Sequence, residues 1–300
     1  MQGKRVKLLF NGSFSQCMHA HSEKSYIHDS QANTSILGLL DMARTEANRV
    51  KTFDKMESSL PLVIMSITDH NNIDAYLGQS FEEMRVSLHR EPTYTDIKNY
   101  YGLTRDVRRK LAYQERIEVH TGAEFSAKMK GIRIHALGFD FNERIMSLTK
   151  YTKNKYNLDN NHRDNIKLIS LIVHLAGGKV VLAHPSRYVR EGKISLNDIL
   201  VMAKNSNCFD AIECATSNMK MEDTFEVLRF CAENDIPVTI GSDYHYVGKP
   251  SVDGMPKQRK DMFFIESLGM TTEEFLSLVV GKSPEQLIEI EKELKMKVSR

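Results

Sequence analysis

Apolar residues along this 300-residue chain come in short unbroken runs that stop abruptly at polar residues. Leu62–Ile67 is one such run, rich in β-branched side chains, and it leads straight into Thr68-Asp69-His70-Asn71. A continuous apolar run of that length predicts a strand covered on both faces. Val6–Phe10, or the residues just before His19, predict the first strand. Ile117–Ser126 and Gly131–Phe141 read as two strands joined by the turn Lys128-Met129-Lys130-Gly131. Lys179–Ala183, Asp210–Cys214 and Pro237–Ile240 complete the set.

Helical periodicity fills the gaps. A helix starts at Thr34 or Ser35 with Leu37 and Leu40 on one face, and Thr45–Leu60 reads as its extended end plus a loop. Asn161–Leu175 is amphipathic and stops at Gly177-Gly178, a C-terminal signal. Ser195 caps a helix to about Asn205, and Glu222–Asn234 forms another. Ser251–Lys260 reads as loop. Thr272–Val280 and Pro284–Lys295 are C-terminal helices. Phe81–Leu88 and Ile97–Leu111 carry weaker helical patterns, in a stretch (72–114) that reads as an insertion between two core strands. Strands alternating with helices over short links predict βαβ units and a largely parallel sheet.

Composition narrows the class only a little. Apolar residues make up 41% and charged residues 27%, as in ordinary soluble domains. A net charge of +2 neither demands nor excludes a nucleic-acid partner. Cys17, Cys208, Cys214 and Cys231 form no CxxC pair, so no zinc ribbon or thioredoxin-type site is indicated. No segment approaches the length of a bilayer span or has a signal-peptide pattern, and a cytoplasmic location without membrane contact is expected.

The polar ends of the strands carry the chemistry. In parallel α/β folds, C-terminal strand ends point into the active-site mouth. His19 and His21 are two apart, so an extended chain turns both imidazoles the same way. Asp69 could supply a ligand, orient a neighbour or cap a helix, and His70 stands beside it. Glu124, between Gly122 and Ser126, could bridge two ions through its two oxygens, with His135 downstream. In Ala183-His184-Pro185 the proline ends the strand and keeps His184 extended. Arg187 follows, and its planar fork suits a phosphate. Gly241-Ser242-Asp243-Tyr244-His245 again sets two ligand types two residues apart. Imidazoles with carboxylates and no cysteine pattern suit a hydrolytic multi-metal site.

Taken in order, these motifs resemble the PHP (polymerase and histidinol phosphatase) superfamily, over about residues 6–247. The matching residues are His19/His21, Thr68-Asp69-His70-Asn71, Gly122/Glu124/Ser126, His135, Ala183-His184-Pro185 and Gly241-Ser242-Asp243/His245. The run Gly177–Tyr188, with Ile212-Glu213, is similar to the branch of nucleotide 3′,5′-bisphosphate phosphatases and a 5′→3′ exoribonuclease. The resemblance implies an α/β fold, a distorted seven-stranded, TIM-like β/α barrel spanning 1–250 with the 72–114 helical insertion, followed by a helical extension, 251–300. It implies His19, His21, His70, Glu124, His135, His184, Asp243 and His245 as ligands for two or three divalent ions: Mn²⁺ first, then Fe, Zn or Mg. Asp69 and Arg187 are the expected catalytic side chains.

The expected activity is phosphoester hydrolysis in nucleic acid or nucleotides by a metal-activated hydroxide. The basic edge Arg105, Arg108, Arg109 and Lys110, with Lys128 and Lys130, is a candidate nucleic-acid track. The alternatives are a small-molecule phosphomonoesterase of histidinol-phosphatase type, and a degenerate barrel that binds a protein partner through its C-terminal helices. Two departures motivate the last: Cys17 and Tyr26 stand where the family carries Asp, with His28 or Asp29 as nearby substitutes.

Overall fold

The computed structural model describes residues 4–10, 15–20, 36–51, 61–70, 105–147, 165–192, 194–216, 219–241, 243, 265 and 268–298. The strands are β1 Ser15–Cys17, β2 Val63–Ile67, β3 Ile117–Met129, β4 Ile132–Phe139, β5 Lys179–Leu182, β6 Ala211–Ala215 and β7 Val238–Ile240, and each pairs with the next in chain order. The helices are α1 Ile36–Lys51, α2 Arg105–Gln114, α3 Glu143–Ser147, α4 Ile166–Leu175, α5 Ser186–Arg190, α6 Leu196–Ser206, α7 Met221–Glu233, α8 Thr272–Val279 and α9 Pro284–Val298. The result is a mixed α/β fold: a curled sheet with helices packed outside it.

Pairing is parallel except at β4, which runs against both β3 and β5. The exception has a local cause. Met129 pairs directly with Ile132, so the β3–β4 turn is only Lys130-Gly131, tighter than the expected four-residue turn. Both turn residues have positive φ, 47° and 82°. That geometry matches the right-handed twist of two antiparallel strands.

The two edges of the curled sheet meet, though not through a ladder. Met18 N–H donates to the Ile240 carbonyl at 3.0 Å, Leu9 N–H to that of Val238 at 2.9 Å, and Val238 N–H to that of Lys7 at 2.8 Å. A parallel bridge joins Leu8 to Val238. Both sequence candidates for the first strand therefore take part. Ser15–Cys17 is the strand, and the Val6–Phe10 run supplies the bridging edge.

Three apolar layers explain why the strand runs are unbroken. One outer layer packs Leu39, Leu40 and Ala43 of α1 and Leu111 of α2 against Val63, Met65 and Ile67 of β2. A larger one packs α4, α6, α7, α8 and α9 against β3–β7, through residues such as Val173, Leu200, Leu228, Phe275 and Leu287. The third lies inside the curl: Phe10, Met18, Ile64, Leu137, Phe139, Val181, Ala183 and Ala211. Each fully buried large side chain there contributes roughly 1.5–3 kcal/mol. Alternation along β2 turns Ile64 inward and Val63 and Met65 outward, and both faces are covered.

Helix ends follow their sequence signals. Ser195 Oγ accepts the Asp198 N–H at 3.1 Å. Thr271 and Glu274 form a reciprocal capping box. At the end of α4, Gly178 N–H reaches the Val173 carbonyl and Gly177 N–H that of His174, a Schellman closure that uses the φ of 83° at Gly177. α4 starts at Ile166, with Asn165 as N-cap. The expected start at Asn161, the Phe81–Leu88 helix, residues 97–104 and the Ser251–Lys260 loop lie outside the described residues. No helix of the described residues is long and apolar enough to cross a membrane.

Candidate metal centre

Every strand brings one polar residue to the same place. They are His19 just past β1, His70 past β2, Glu124 on β3, His135 on β4, His184 past β5, Glu213 on β6 and Asp243 past β7. Pairing register enforces this. The His70–Glu124 bridge keeps the β2–β3 register three residues beyond the last ladder pair, Ile67–Thr121, and His135 lies directly across from Ser126, two residues from Glu124 on the same face of β3.

Five strand tips were expected, and two of the positions differ. Glu124 and His135 are mid-strand. The β3–β4 hairpin runs on to Lys130-Gly131 after β2 has stopped pairing, so its middle, not its end, sits level with the tips of the parallel strands.

Glu124 is the hub. Its carboxylate has no exposed surface. Oε1 lies 2.5 Å from His135 Nδ1 and 3.1 Å from His184 Nε2. Oε2 lies 2.9 Å from His70 Nδ1 and 3.5 Å from His19 Nε2. Neighbouring imidazole rings are 5.2–5.6 Å apart. His19 Nε2 is also 3.4 Å from Asp243 Oδ1. Burial alone drives a carboxylate up, but His135, His70 and His19 outweigh it and hold Glu124 well below the usual carboxylate range. Burial likewise opposes a charged His19, and Glu213, Asp243 and Glu124 overcome it and raise its pKa well above the ordinary histidine value.

These donors fit a divalent cation. Two groups of three, His19/Glu124/His184 and His70/Glu124/His135, place one ligand atom per residue within 4.8 Å of one another. Imidazole nitrogens around a shared carboxylate suit Mn, Fe or Zn. A cation among them would take the lone pairs that otherwise require protons.

Backbone conformation is specialised at the tips. His184 has φ of 26° and Asp243 of 52°, in the left-handed region that non-glycine residues rarely adopt. A Cβ on Gly241 would lie 2.4 Å from His19 Cβ and 2.8 Å from Glu213 Oε1, so only glycine lets β7 approach this closely. A Cβ on Gly122 would meet Ser66 Oγ at 2.1 Å. The glycines of the GxE and GSD motifs are thus spacing elements for the centre.

Other expected site residues fall differently. Asp69 is buried, and its carbonyl accepts the Glu124 N–H at 3.1 Å, which locks β2 to β3 beside the hub. Arg187, on α5, pairs with Glu191 at 3.2 Å, and its side chain keeps 42% exposure. Partial burial opposes its charge, but Asp243 and Glu124 raise its pKa further, so its guanidinium is within electrostatic reach of the centre. His21, Tyr26, His28, Asp29 and His245 lie outside the described residues. In the basic edge, Arg108 bonds Thr121 and Glu143. Together with Arg105 and Arg109 it lines a cleft of about 540 Å³ that includes none of the centre's residues.

Two contributors had not been expected to act here. Tyr188 Oη accepts the His135 N–H at 2.7 Å and donates to the Ala183 carbonyl at 3.1 Å, stitching β4 to the end of β5. Glu213 is fully buried beside His19. Its signal was visible as a carboxylate in the centre of the apolar strand Ala211–Ala215, which has no surface on which to place a charge.

No protein-family model matches the chain, and no curated protein sequence matches it. Several solved structures resemble it. One, from Bifidobacterium adolescentis, is assigned as a metal-dependent phosphoesterase (15% identity, TM-score 0.44, covering 82% of this chain and 93% of that one). An amidohydrolase from Chromobacterium violaceum, with bound sulfate and no metal, has 13% identity and a TM-score of 0.47, covering 78% of this chain and 88% of that one. A two-domain Bacteroides vulgatus protein containing a PHP-like metal-dependent phosphoesterase has 15% identity and a TM-score of 0.38, covering 77% of this chain and 52% of that one. Likeness at this level leaves function to be argued from the residues.

Proposed function

We propose that this chain is a metal-dependent phosphoesterase of PHP type, built on a distorted seven-stranded β/α barrel. The observation that carries this is the buried Glu124 carboxylate with an imidazole nitrogen of His19, His70, His135 and His184 at 3.5 Å or closer. A structural role needs no such excess of ligand-type nitrogens. The proposed ligand set is His19, His70, Glu124, His135, His184 and Asp243, with His21 and His245 added by motif, for two or three divalent ions. When bound, the ions lower the pKa of water and offset charge that builds on a phosphoryl group.

The protein's own side chains do the rest. Arg187, half-exposed beside the centre, is proposed to hold a phosphate oxygen through its planar fork. Asp69 holds the His70 tip against β3 through its main chain. The inner apolar layer beneath the centre excludes water from one side and strengthens every charge interaction above it. We place the substrate among nucleic acids and nucleotides, on the motif run Gly177–Tyr188.

Purified protein with Mn²⁺, offered a model phosphodiester, short RNA and DNA, and small phosphomonoesters, tests this. Turnover of the diester or of oligonucleotides is expected. Activity on small monoesters alone would move the assignment to the histidinol-phosphatase type. No turnover with any divalent ion, while ions remain bound, would overturn it. Arg187→Lys is expected to raise KM about tenfold or more, because a point charge replaces the fork.

A further inference from the structure

We propose that Glu213 is a positioning residue that decides which nitrogen of His19 faces the metal centre. The inference rests on the metal-binding reading above.

Glu213 sits mid-strand on β6, with no exposed surface. Its Oε1 and Oε2 lie 3.1 and 3.3 Å from His19 Nδ1. An ionised carboxylate only accepts hydrogen bonds, so Nδ1 must be the protonated nitrogen. In the neutral ring that a cation requires, the other nitrogen, Nε2, then carries the lone pair, and it is the one aimed at Glu124 and Asp243, 3.5 and 3.4 Å away. The same carboxylate has a second task. Its Oε2 accepts the His184 main-chain N–H at 2.7 Å, which holds that residue in its left-handed conformation. One buried side chain thereby sets the ring of one ligand and the backbone of another. Gly241 completes the arrangement, since any Cβ there would strike both His19 and Glu213.

Glu213→Gln separates the two tasks. The amide oxygen can still accept from His184. The amide nitrogen then faces His19 Nδ1 as a donor, which moves the ring proton to Nε2 and removes the lone pair from the centre. Zinc serves as the probe because it is diamagnetic. Zinc affinity is read by isothermal titration, and ring protonation by imidazole ¹⁵N spectra of the zinc-loaded protein. The Gln variant is expected to keep its circular dichroism spectrum and to lose about 10- to 100-fold in zinc affinity. Unchanged zinc affinity in that variant would overturn the proposal, even with a lowered Tm, because a purely structural residue would behave so. Should the variant fail to fold, wild-type protein decides: zinc-loaded His19 must carry its proton on Nδ1, and a proton on Nε2 sinks the idea. Wild type that binds no zinc would instead overturn the metal reading, and the ¹⁵N spectra of the metal-free wild type and variant above the His19 titration would still test Glu213.

Discussion

Strand β3 carries two histidine-carboxylate clusters, one at its middle and one near its start, and the two are built for different work. At the middle Glu124 is enclosed by four imidazoles. Near the start, His120 sits between two carboxylates: Nδ1 is 2.7 Å from Asp140 and Nε2 is 3.5 Å from Glu118. The first cluster has an excess of nitrogen ligands over carboxylate, and its carboxylate, Glu124, has no exposed surface. The second has an excess of carboxylate, and Asp140 and Glu118 keep 43% and 45% exposure. His120 also packs on Phe10 at 4.4 Å, at the edge of the inner apolar layer. Residue types alone do not distinguish a metal centre from an ion pair. Convergence from many strands, burial and the ratio of nitrogen to carboxylate do.

Removing the hub should show the contrast most strongly. Glu124→Ala is expected to abolish bound metal and lower phosphoesterase activity roughly 10³-fold, as read by elemental analysis and rate. Retained metal with normal activity would erase the distinction between the two clusters. Tyr188→Phe is milder. It leaves the His135 N–H and the Ala183 carbonyl without their partner and should cost about 1–3 kcal/mol of stability in denaturant titration.

Protons separate the clusters next. In metal-free protein the raised His19 contributes stability that is complete below its ordinary value near 6.5 and is lost as pH rises through the higher folded value. Glu124, held low, contributes above the ordinary value near 4.5 and loses its contribution only as pH falls through the lower folded value. Denaturation of metal-free protein should therefore show stability falling as pH rises above the ordinary histidine value near 6.5, and added metal should flatten the curve. A flat curve without metal would mean that His19 is not held charged. The smallest effect is expected at the other cluster. His120→Ala should leave metal content unchanged and move stability by about 1 kcal/mol or less, as partly exposed ion pairs do.

Much of this was legible before any coordinates. Unbroken apolar runs marked strands covered on both faces, and polar residues just past those runs marked where the strand tips meet. The levels of Glu124 and His135 relative to the other strand tips were not legible. They depend on how far the β3–β4 hairpin outruns β2, which is a matter of pairing register and not of local pattern. Glu213 was visible as a charge in an apolar strand, but its partners are a ring and a main-chain N–H far away in sequence. The left-handed tips at His184 and Asp243 were hidden for the same reason: what holds them lies on other strands. For His184 the Pro185 signal even pointed to an extended conformation.

The meeting of β1 and β7 has a consequence for how the molecule comes into being. His19 and Glu213, 194 residues apart, touch only after the sheet has curled round. On a ribosome, the first ligand is made early and must wait for almost all the others. Contacts of such long sequence separation form late, after local hairpins and helices. Of the two candidate seats, His19/Glu124/His184 does not exist until the two edges join, whereas His70/Glu124/His135 needs only β2, β3 and β4. An ion at the first seat would enter at the last step, and chelator present during refolding should leave the formation of the β3–β4 hairpin untouched.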